Sequence, residues 1–437
     1  MEIVIKAAQF ILSLSFLIVL HELGHFIPAK IFKTRVEKFY LFFDYKFSLL
    51  KKKIGETEYG IGWIPLGGYV KISGMIDESM DTEQMKLPAQ PWEFRSKPAW
   101  QRLIIMLGGV IVNFILGILI YIMITFVWGI DFVKPNDVKE GFAVHESFKQ
   151  YGFEDGDKIT KFNGAEPLDV TDVNKHLFLR DITSLEVVHQ NGKTEAIAIP
   201  ENIGEIMWEN GVMQPFEVRI SAIIDTVVVD SPAEKAGFLK NDKIVSVNNT
   251  PISYWNDFTK LVINSENEIA ITIERDGANK IISLKAGEDN KIGVAPSRKS
   301  VVNIQHKEYS FLESISTGNS IAIWTLKDYI TQFKYVFTKK GATSIGGFIA
   351  IGNIFPATWS WQAFWSITAF LSIMLGFMNL LPIPALDGGH VMFTLYEMIT
   401  GRKPSDKFLE YAQITGFLLL IALLLLANGN DVVKLFS

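Results

Sequence analysis

The sequence predicts a polytopic α-helical membrane protein with four transmembrane helices, a membrane-associated β-loop and two inserted β-rich domains. Three observations support this fold class. The mean hydropathy of +0.22 is high for a chain of 437 residues. Its apolar residues are concentrated in a few blocks long enough to cross a bilayer core, which takes about 20 residues. Between those blocks lies a long segment in which one motif occurs twice, 85 residues apart.

Composition and charge exclude several classes of protein. The chain has no cysteine, which rules out a disulfide scaffold and thiolate chemistry, and leaves the compartment to be decided by topology. Its formal net charge of −5 provides no overall positive field to hold a polyanion. We therefore expect no nucleic-acid partner.

The first apolar block runs from Ile3 to about Phe32 and is predicted to be the first span. A cleaved signal peptide is the alternative interpretation. No small-residue cleavage site follows the block, and cleavage would discard the polar cluster near its end. A membrane-spanning helix is therefore favoured.

That polar cluster is His21-Glu22-Leu23-Gly24-His25, an HExxH motif on a helix. Two histidines four residues apart project from one face and can bind one zinc ion. Glu22 is offset by about 100° around the helix, where its carboxylate can reach a water beside the metal. The alternative is a polar helix end at the membrane interface, but such a cluster beside lipid is costly unless it is used.

The connection after the first span contains a candidate β-loop, Ile64 to Ile72 (IPLGGYVKI). We expect it to dip toward the membrane from the cytoplasmic side and to pair with an extended substrate by strand addition. Gly67, Gly68 and Tyr69 are the candidate substrate-binding residues of this loop. A purely structural hairpin that seals the active site is the alternative.

The second span, Leu103 to Trp128, contains no charged residue and is the clearest of the four. Asn113 lies in its middle. We interpret this residue as a hydrogen-bonding contact between helices rather than as a catalytic group.

The segment from about Gly129 to Ser300 contains the repeat: GFEDGDKITKFNG begins at Gly152 and GFLKNDKIVSVNN begins at Gly237. Alternating apolar and polar residues, as in EIAITIERDG, predict half-buried strands joined by tight turns. The order of helix, strand and turn in the second copy resembles a PDZ domain, and the first copy is a weaker match. We expect two PDZ-like domains, at 129–220 and 221–300.

The N-terminal membrane half is predicted at 1–128 and the C-terminal membrane half at 363–437. The connector that follows the two inserted domains is predicted at 301–362. Apolar residues recur along it at helical spacing from about Ser310 to Phe337. This helix is expected to pack on the spans or on the inserted domains, and the outer membrane surface is the alternative. A glycine-rich piece, Gly341 to Gly352, is too interrupted to be a span.

The third span, Ala363 to Leu381, is followed by Pro382-Ile-Pro384-Ala-Leu-Asp387-Gly-Gly-His390, and the fourth span is Phe408 to Ala427. Two prolines prevent a helix, which at membrane depth is tolerated only where the chain lines a cavity. Asp387 is the candidate third metal ligand, since two histidines and one carboxylate suit zinc. Its alternative role is a helix cap only, and His390 is interpreted as a structural or supporting histidine.

Orientation follows from the excess of Lys and Arg in short cytoplasmic segments. The connection after the first span and the segment before the fourth are both basic. The motifs HELGH and LDGGH then lie near the cytoplasmic side, and both termini and the inserted domains lie outside. The basic residues are Lys30, Lys33, Arg35, Lys38, Lys51, Lys52, Lys53, Lys97, Arg102, Arg402, Lys403 and Lys407.

Together, HELGH in the first span and NLLPIPALDGG after the third resemble the site-2 protease family of intramembrane zinc metalloproteases, and within it the bacterial RseP group with tandem PDZ domains. Further matches are YGIGWIPLGGYVKISGM, FRSKPAWQR and GVIVN, so the resemblance covers nearly the whole chain. The family often has Gly-Pro where this sequence has Gly109-Val110 and Gly347-Phe348. These departures affect helix packing and leave the zinc-binding residues intact.

The resemblance implies one zinc ion on His21, His25 and Asp387, with Glu22 as the general base that later protonates the leaving amine. It implies substrate contacts by Asn379, for which an interhelical hydrogen bond is the alternative, and by Pro382 and Pro384. The implied activity is cleavage of single-span membrane proteins, such as anti-sigma factors or remnant signal peptides, in a bacterial inner membrane. The family's PDZ domains stand over the entrance as a filter, and would be periplasmic in a Gram-negative cell.

Two other classes of function stay open at this point. One is a membrane-anchored PDZ scaffold with a structural or inactive zinc site, which the complete HExxH motif and Asp387 disfavour. The other is a small-solute transporter, which fits broken helices but leaves the inserted domains without a role. The oligomeric state is not predicted.

Overall fold

The computed structural model describes residues 2–75, 87–263, 268–287, 291–296 and 302–436. The chain divides into two compact units. The first joins Met1–Gly129 to Glu308–Ser437, and the second is Ile130–Lys307. The boundary predicted at residue 300 lies outside the described residues.

The first unit begins with helix α1, Glu2–Ile31, and a four-stranded sheet. The strands lie in the order β2-β3-β1-β4; β1 and β3 are parallel and the other neighbours antiparallel. Strand β4 is therefore an edge strand, and it lies against α1. The strands are β1 Val36–Phe43, β2 Leu50–Ile54, β3 Thr57–Ile61 and β4 Ile64–Ile72.

Helix α2, Ala99–Trp128, follows a short 3-10 helix, Phe94–Ser96, and lies at the centre of the unit. It touches α1 where two glycines meet: a Cβ on Gly24 would lie 2.4 Å from the carbonyl oxygen of Gly108. Small residues permit this close approach of backbones.

The second unit contains two hydrophobic cores, one for each copy of the repeat. In the first copy, strands β7, β8 and β9 form an antiparallel sheet, and β6 pairs with β10. The first copy comprises β5 Ile130–Phe132, β6 Phe142–Val144, α3 Glu146–Lys149, β7 Lys158–Phe162, α4 Val173–Leu179, β8 Ser184–Val188, β9 Thr194–Ala198, α5 Ile203–Asn210 and β10 Phe216–Val218, with 3-10 helices at Pro135–Asp137 and Val170–Asp172.

In the second copy the sheet order is β13-β12-β14-β15, β11 pairs with β16, and β17 returns to pair with β5. The second copy contains a short helix with Pro232 in its first turn and Gly237 in the left-handed conformation at its end. The elements are β11 Ile224–Val227, α6 Pro232–Ala236, β12 Lys243–Val247, β13 Thr250–Pro251, α7 Trp255–Ile263, β14 Ile269–Arg275, β15 Ala278–Leu284, β16 Val294–Pro296 and β17 Gln305–Lys307.

The connector begins with the expected helix, α8, Phe311–Phe333, which has a complete capping box at Ser310. It packs on the spans, since Phe311 contacts Phe126 and Phe333 contacts Phe377. A 3-10 helix, Lys334–Phe337, and the short helices α9 Lys339–Ser344 and α10 Phe348–Ile354 complete the connector.

The C-terminal half contains α11 Trp361–Leu380, α12 Asp387–Thr400 and α13 Asp406–Phe436. Among the described residues, four helices are long and apolar enough to cross a membrane, which agrees with the four predicted spans. Polar contacts join them, including a 2.9 Å bond between the Oγ of Ser13 and the Oγ1 of Thr368. The four spanning segments are Glu2–Ile31, Ala99–Trp128, Trp361–Leu380 and Lys407–Lys434.

Candidate active site

The two histidines of the HExxH motif lie together on α1. Their spacing of four residues places the ring centroids 4.8 Å apart, and the Nε2 atoms of His21 and His25 are 3.3 Å apart. Both Nε2 atoms also lie close to Asp387, from a distant part of the chain.

Asp387 is the first residue of α12. Its Oδ2 is 3.4 Å from Nε2 of His21 and 3.4 Å from Nε2 of His25. The residue before it, Leu386, is the N-cap, and no side chain caps this helix end. The cap-only interpretation of Asp387 therefore finds no support in the geometry.

These three atoms fit a tetrahedral zinc site. Zinc bonds of about 2.0–2.1 Å to nitrogen or oxygen imply ligand atoms roughly 3.3–3.4 Å apart, which matches all three separations. Oδ2 of Asp387 is buried and makes no hydrogen bond of regular geometry with any residue that the structure describes. A buried acceptor left without a proton donor is costly, and a cation there would remove that cost.

Both histidines are held by their other ring nitrogen. Nδ1 of His25 donates to the carbonyl oxygen of Ile105 at 2.8 Å, so that Nε2 keeps its lone pair for a metal. Nδ1 of His21 lies 3.1 Å from the side-chain amide of Asn113. Asn113 is thus an interhelical contact, as expected, but its partner is a metal-ligand candidate.

Gly109 on α2 lies directly beneath the two imidazoles. A Cβ at this position would be 2.3 Å from Nε2 of His25 and 2.6 Å from Cε1 of His21. Any side chain at position 109 would therefore occupy the space of the rings.

Glu22 lines the same cavity as the two histidines and Val70 of the edge strand β4. The edge strand therefore lies beside the candidate general base.

A cavity of about 570 Å³ opens beside these residues, between α1, β4 and the loop before α12. Asn379, Gly67, Gly68 and Tyr69 line it, and Nδ2 of Asn379 is 3.4 Å from Nε2 of His21. Pro382 and Pro384 are not among the described lining residues. They shape the loop that carries Asp387.

One wall of the cavity is polar, and no sequence pattern predicted it. Tyr69 donates to Asp44 at 2.8 Å, and Nζ of Lys38 donates to the same carboxylate at 3.2 Å. The phenol rings of Tyr69 and Tyr40 stack with centroids 5.5 Å apart. Lys38 and Asp44 lie apart in sequence from every recognised motif, so no local signal marked them.

His390 also lines the cavity, one helical turn beyond Asp387, but among the described residues it does not join the metal-ligand group. Gln413, from the fourth span, lines the same cavity. Only contacts between distant segments could identify Gln413, Gly109 and the role of Asn113.

A second group of possible ligands, Glu154, Asp157 and His189, lies in the other unit. Nδ1 of His189 is 2.7 Å from Oδ1 of Asp157. The repeat explains this contact, since Asp242 occupies the same position in the second copy and binds Arg275. Because Arg275 cannot be a metal ligand, we interpret the pair as structural.

The chain matches the model of peptidase family M50 over residues 9–423. It is 30% identical to the regulator of sigma E protease of Haemophilus influenzae and 29% identical to the regulator of sigma-E protease RseP of Escherichia coli, each over 98% of both chains. A Neisseria meningitidis relative with "zinc metalloprotease" in its name is 27% identical, over 98% of this chain and 99% of its own.

Proposed function

This chain belongs to peptidase family M50, and from that membership we propose that it cuts single-span membrane proteins within or near the bilayer, with the site described above. It is a zinc metalloprotease with four membrane-spanning helices. The observation that carries the assignment of the site is the triangle of His21, His25 and Asp387, with sides of 3.3, 3.4 and 3.4 Å.

In this proposal, Nε2 of His21, Nε2 of His25 and Oδ2 of Asp387 hold the zinc ion. When bound, zinc supplies a Lewis acid that polarises a carbonyl and activates water. Glu22 takes the proton from the attacking water and delivers it to the leaving amine.

A substrate helix satisfies its own backbone hydrogen bonds, so it has to unwind before a peptide bond can be cut. We propose that the unwound segment pairs with the free edge of β4 around Gly67, Gly68 and Tyr69. Asn379 is placed to donate to the substrate backbone.

The expected substrates are anti-sigma factors or remnant signal peptides. Two relatives whose names describe them as a regulator of sigma E protease support the first class. The excess of Lys and Arg in the connection after the first span and in the segment before the fourth supports an active site near the cytoplasmic side of a bacterial inner membrane. The second unit then lies outside, which in a Gram-negative cell is the periplasm.

We also propose that the second unit consists of two PDZ-like domains. Two separate cores and the repeated order of helix, strand and turn support this proposal. A scaffold with a silent zinc site is not favoured, because the chain retains the complete set of zinc ligands and Glu22.

The test is cleavage, in detergent or liposomes, of single-span helices with trimmed outer ends. Wild type and Glu22→Gln are compared, with bound zinc counted in both, and Glu56→Gln in the exposed β2–β3 turn is the matched control. We expect Glu22→Gln to retain zinc and lose cleavage by more than about 10²-fold, and Glu56→Gln to cut normally. Equal cleavage by wild type and Glu22→Gln would refute the assigned base.

A further inference from the structure

The loop that carries Asp387 contains a β-turn with an unusual third residue. The N–H of Leu386 donates to the carbonyl oxygen of Ile383 at 3.0 Å, which closes the turn Ile383-Pro384-Ala385-Leu386. Ala385 has φ of 77°. A type II turn has proline as its second residue and a positive φ at its third residue, which is normally glycine. Alanine is sterically disfavoured there.

The fourth span holds this turn from one side. Oε1 of Gln413 accepts a hydrogen bond from the N–H of Ala385 at 3.2 Å, and Gln413 is 5% exposed. Gly416, one turn further on, packs so closely on the loop that a Cβ there would lie 1.8 Å from the carbonyl oxygen of Pro384. Both residues are buried, whereas the neighbouring positions 411, 414 and 415 are exposed. This end of α13 is therefore fitted to the turn.

We infer that Gln413 is a positioning residue for the metal site, because it holds Ala385 in its left-handed conformation and thereby fixes Asp387 two residues later. This inference rests on the proposed zinc ligands. If the hydrogen bond is lost, Ala385 can relax to a negative φ. That change rotates the chain entering α12 and moves the Asp387 carboxylate away from His21 and His25.

The experiment measures zinc affinity of the full chain in detergent, by competition with a chromogenic chelator. The variants are Gln413→Met, Ala385→Gly and the double variant, and Asp387→Asn is the reference for loss of a ligand. Gln413→Met keeps the length of the side chain and removes the acceptor. The matched control is Thr415→Val, an exposed position on the same helix whose hydroxyl donates to the carbonyl oxygen of Tyr411, one turn earlier.

We expect Gln413→Met to weaken zinc binding about tenfold, as for other residues that orient a metal ligand, and Thr415→Val to leave it unchanged. In the Ala385→Gly background, Gln413→Met should lower zinc affinity only about twofold, since glycine adopts a positive φ without the hydrogen bond. Excess zinc should restore cleavage by Gln413→Met, which general damage to the fold would prevent. Gln413→Asn, whose amide is withdrawn by one methylene, gives a second test in the same direction.

The inference would be overturned if Gln413→Met lowered zinc affinity equally with alanine and with glycine at position 385. It would also be overturned if Gln413→Met alone kept the wild-type zinc affinity. Wild-type zinc affinity in Asp387→Asn would instead show that the proposed ligand set is wrong. The two failures are therefore distinguishable.

Discussion

At the scale of single residues, one added methyl group at Gly109 should have a large effect on zinc affinity. Gly109→Ala adds one methyl group 2.3 Å from Nε2 of His25, inside the contact distance of any atom pair. The rings have to move, and we expect zinc affinity to fall about 100-fold. Zinc content after dialysis against a weak chelator measures this effect. Gly429→Ala, where a Cβ meets nothing within 4 Å, is the control.

Asn113 should act on the metal through His21. An asparagine amide can present its oxygen to the ring, accept the proton of Nδ1, and leave the Nε2 lone pair for zinc. Nδ2 of Asn113 faces Nδ1 of His21 at 3.1 Å, while Oδ1 is buried without a hydrogen-bond partner among the described residues, so a half-turn of the amide that exchanges the two atoms satisfies both. We expect Asn113→Leu to lower zinc affinity by about 10–100-fold.

Ser372→Ala separates this effect from helix packing, because Oγ of Ser372 donates to the backbone oxygen of Asn113 at 2.7 Å and does not touch the ring. A loss of zinc affinity in Ser372→Ala as large as that in Asn113→Leu would point to helix packing instead.

At the scale of elements, the two copies of the repeat differ in how they hold one buried carboxylate. Burial would raise the pKa of Asp242, but the hydrogen bonds from Arg275 and from the Leu239 backbone, with the charge of Arg275, outweigh it and the pKa is lowered. At the equivalent Asp157, burial outweighs the hydrogen bonds from the Glu154 backbone and from His189, and the pKa is raised. A guanidinium that binds both carboxylate oxygens holds the charge better than one imidazole nitrogen does.

This difference predicts a pH-dependent stability for the second copy. An aspartate whose pKa is lower in the folded than in the unfolded protein stabilises the fold at pH values above its unfolded pKa of about 4. This stabilisation is lost as the pH falls through the pKa of the folded state. Arg275→Met should therefore lower the free energy of unfolding by about 2–3 kcal/mol at pH 7, and by less at pH 4. Hydrogen exchange of β14 and β15 in the full chain measures the difference. The exposed Lys285→Met should not change it at either pH.

Sequence patterns predicted the spans, the HExxH helix and Asp387 because each has a local signature. They did not predict that β3 lies between β1 and β2, since a parallel pair inside a hairpin-rich segment has no such signature. Pro384 marks the turn before Asp387, but alanine at position 385 hides its type. The contacts of Gly109, Asn113 and Gln413 join residues far apart in the chain, and one sequence contains no record of such pairs.

At the scale of the whole molecule, the proposed metal ligands lie in one unit and the two copies of the repeat lie in the other. Removal of zinc should therefore destabilise only the first unit. A ligand at 1,000 times its dissociation constant contributes about 4 kcal/mol. We expect chelation to speed hydrogen exchange at the end of α1 and the start of α12, and to leave β14 and β15 unchanged. Faster exchange throughout both units would contradict this expectation.

The distance along the chain between His21 and Asp387 also sets an order of events during synthesis. At roughly 5–20 residues per second, Asp387 is made about 20–70 s after His21. For that interval the nascent protein has two of the three proposed zinc-binding side chains. The proposed site is therefore complete only after about nine-tenths of the chain has been made, and a chain that stops before Asp387 has an incomplete site.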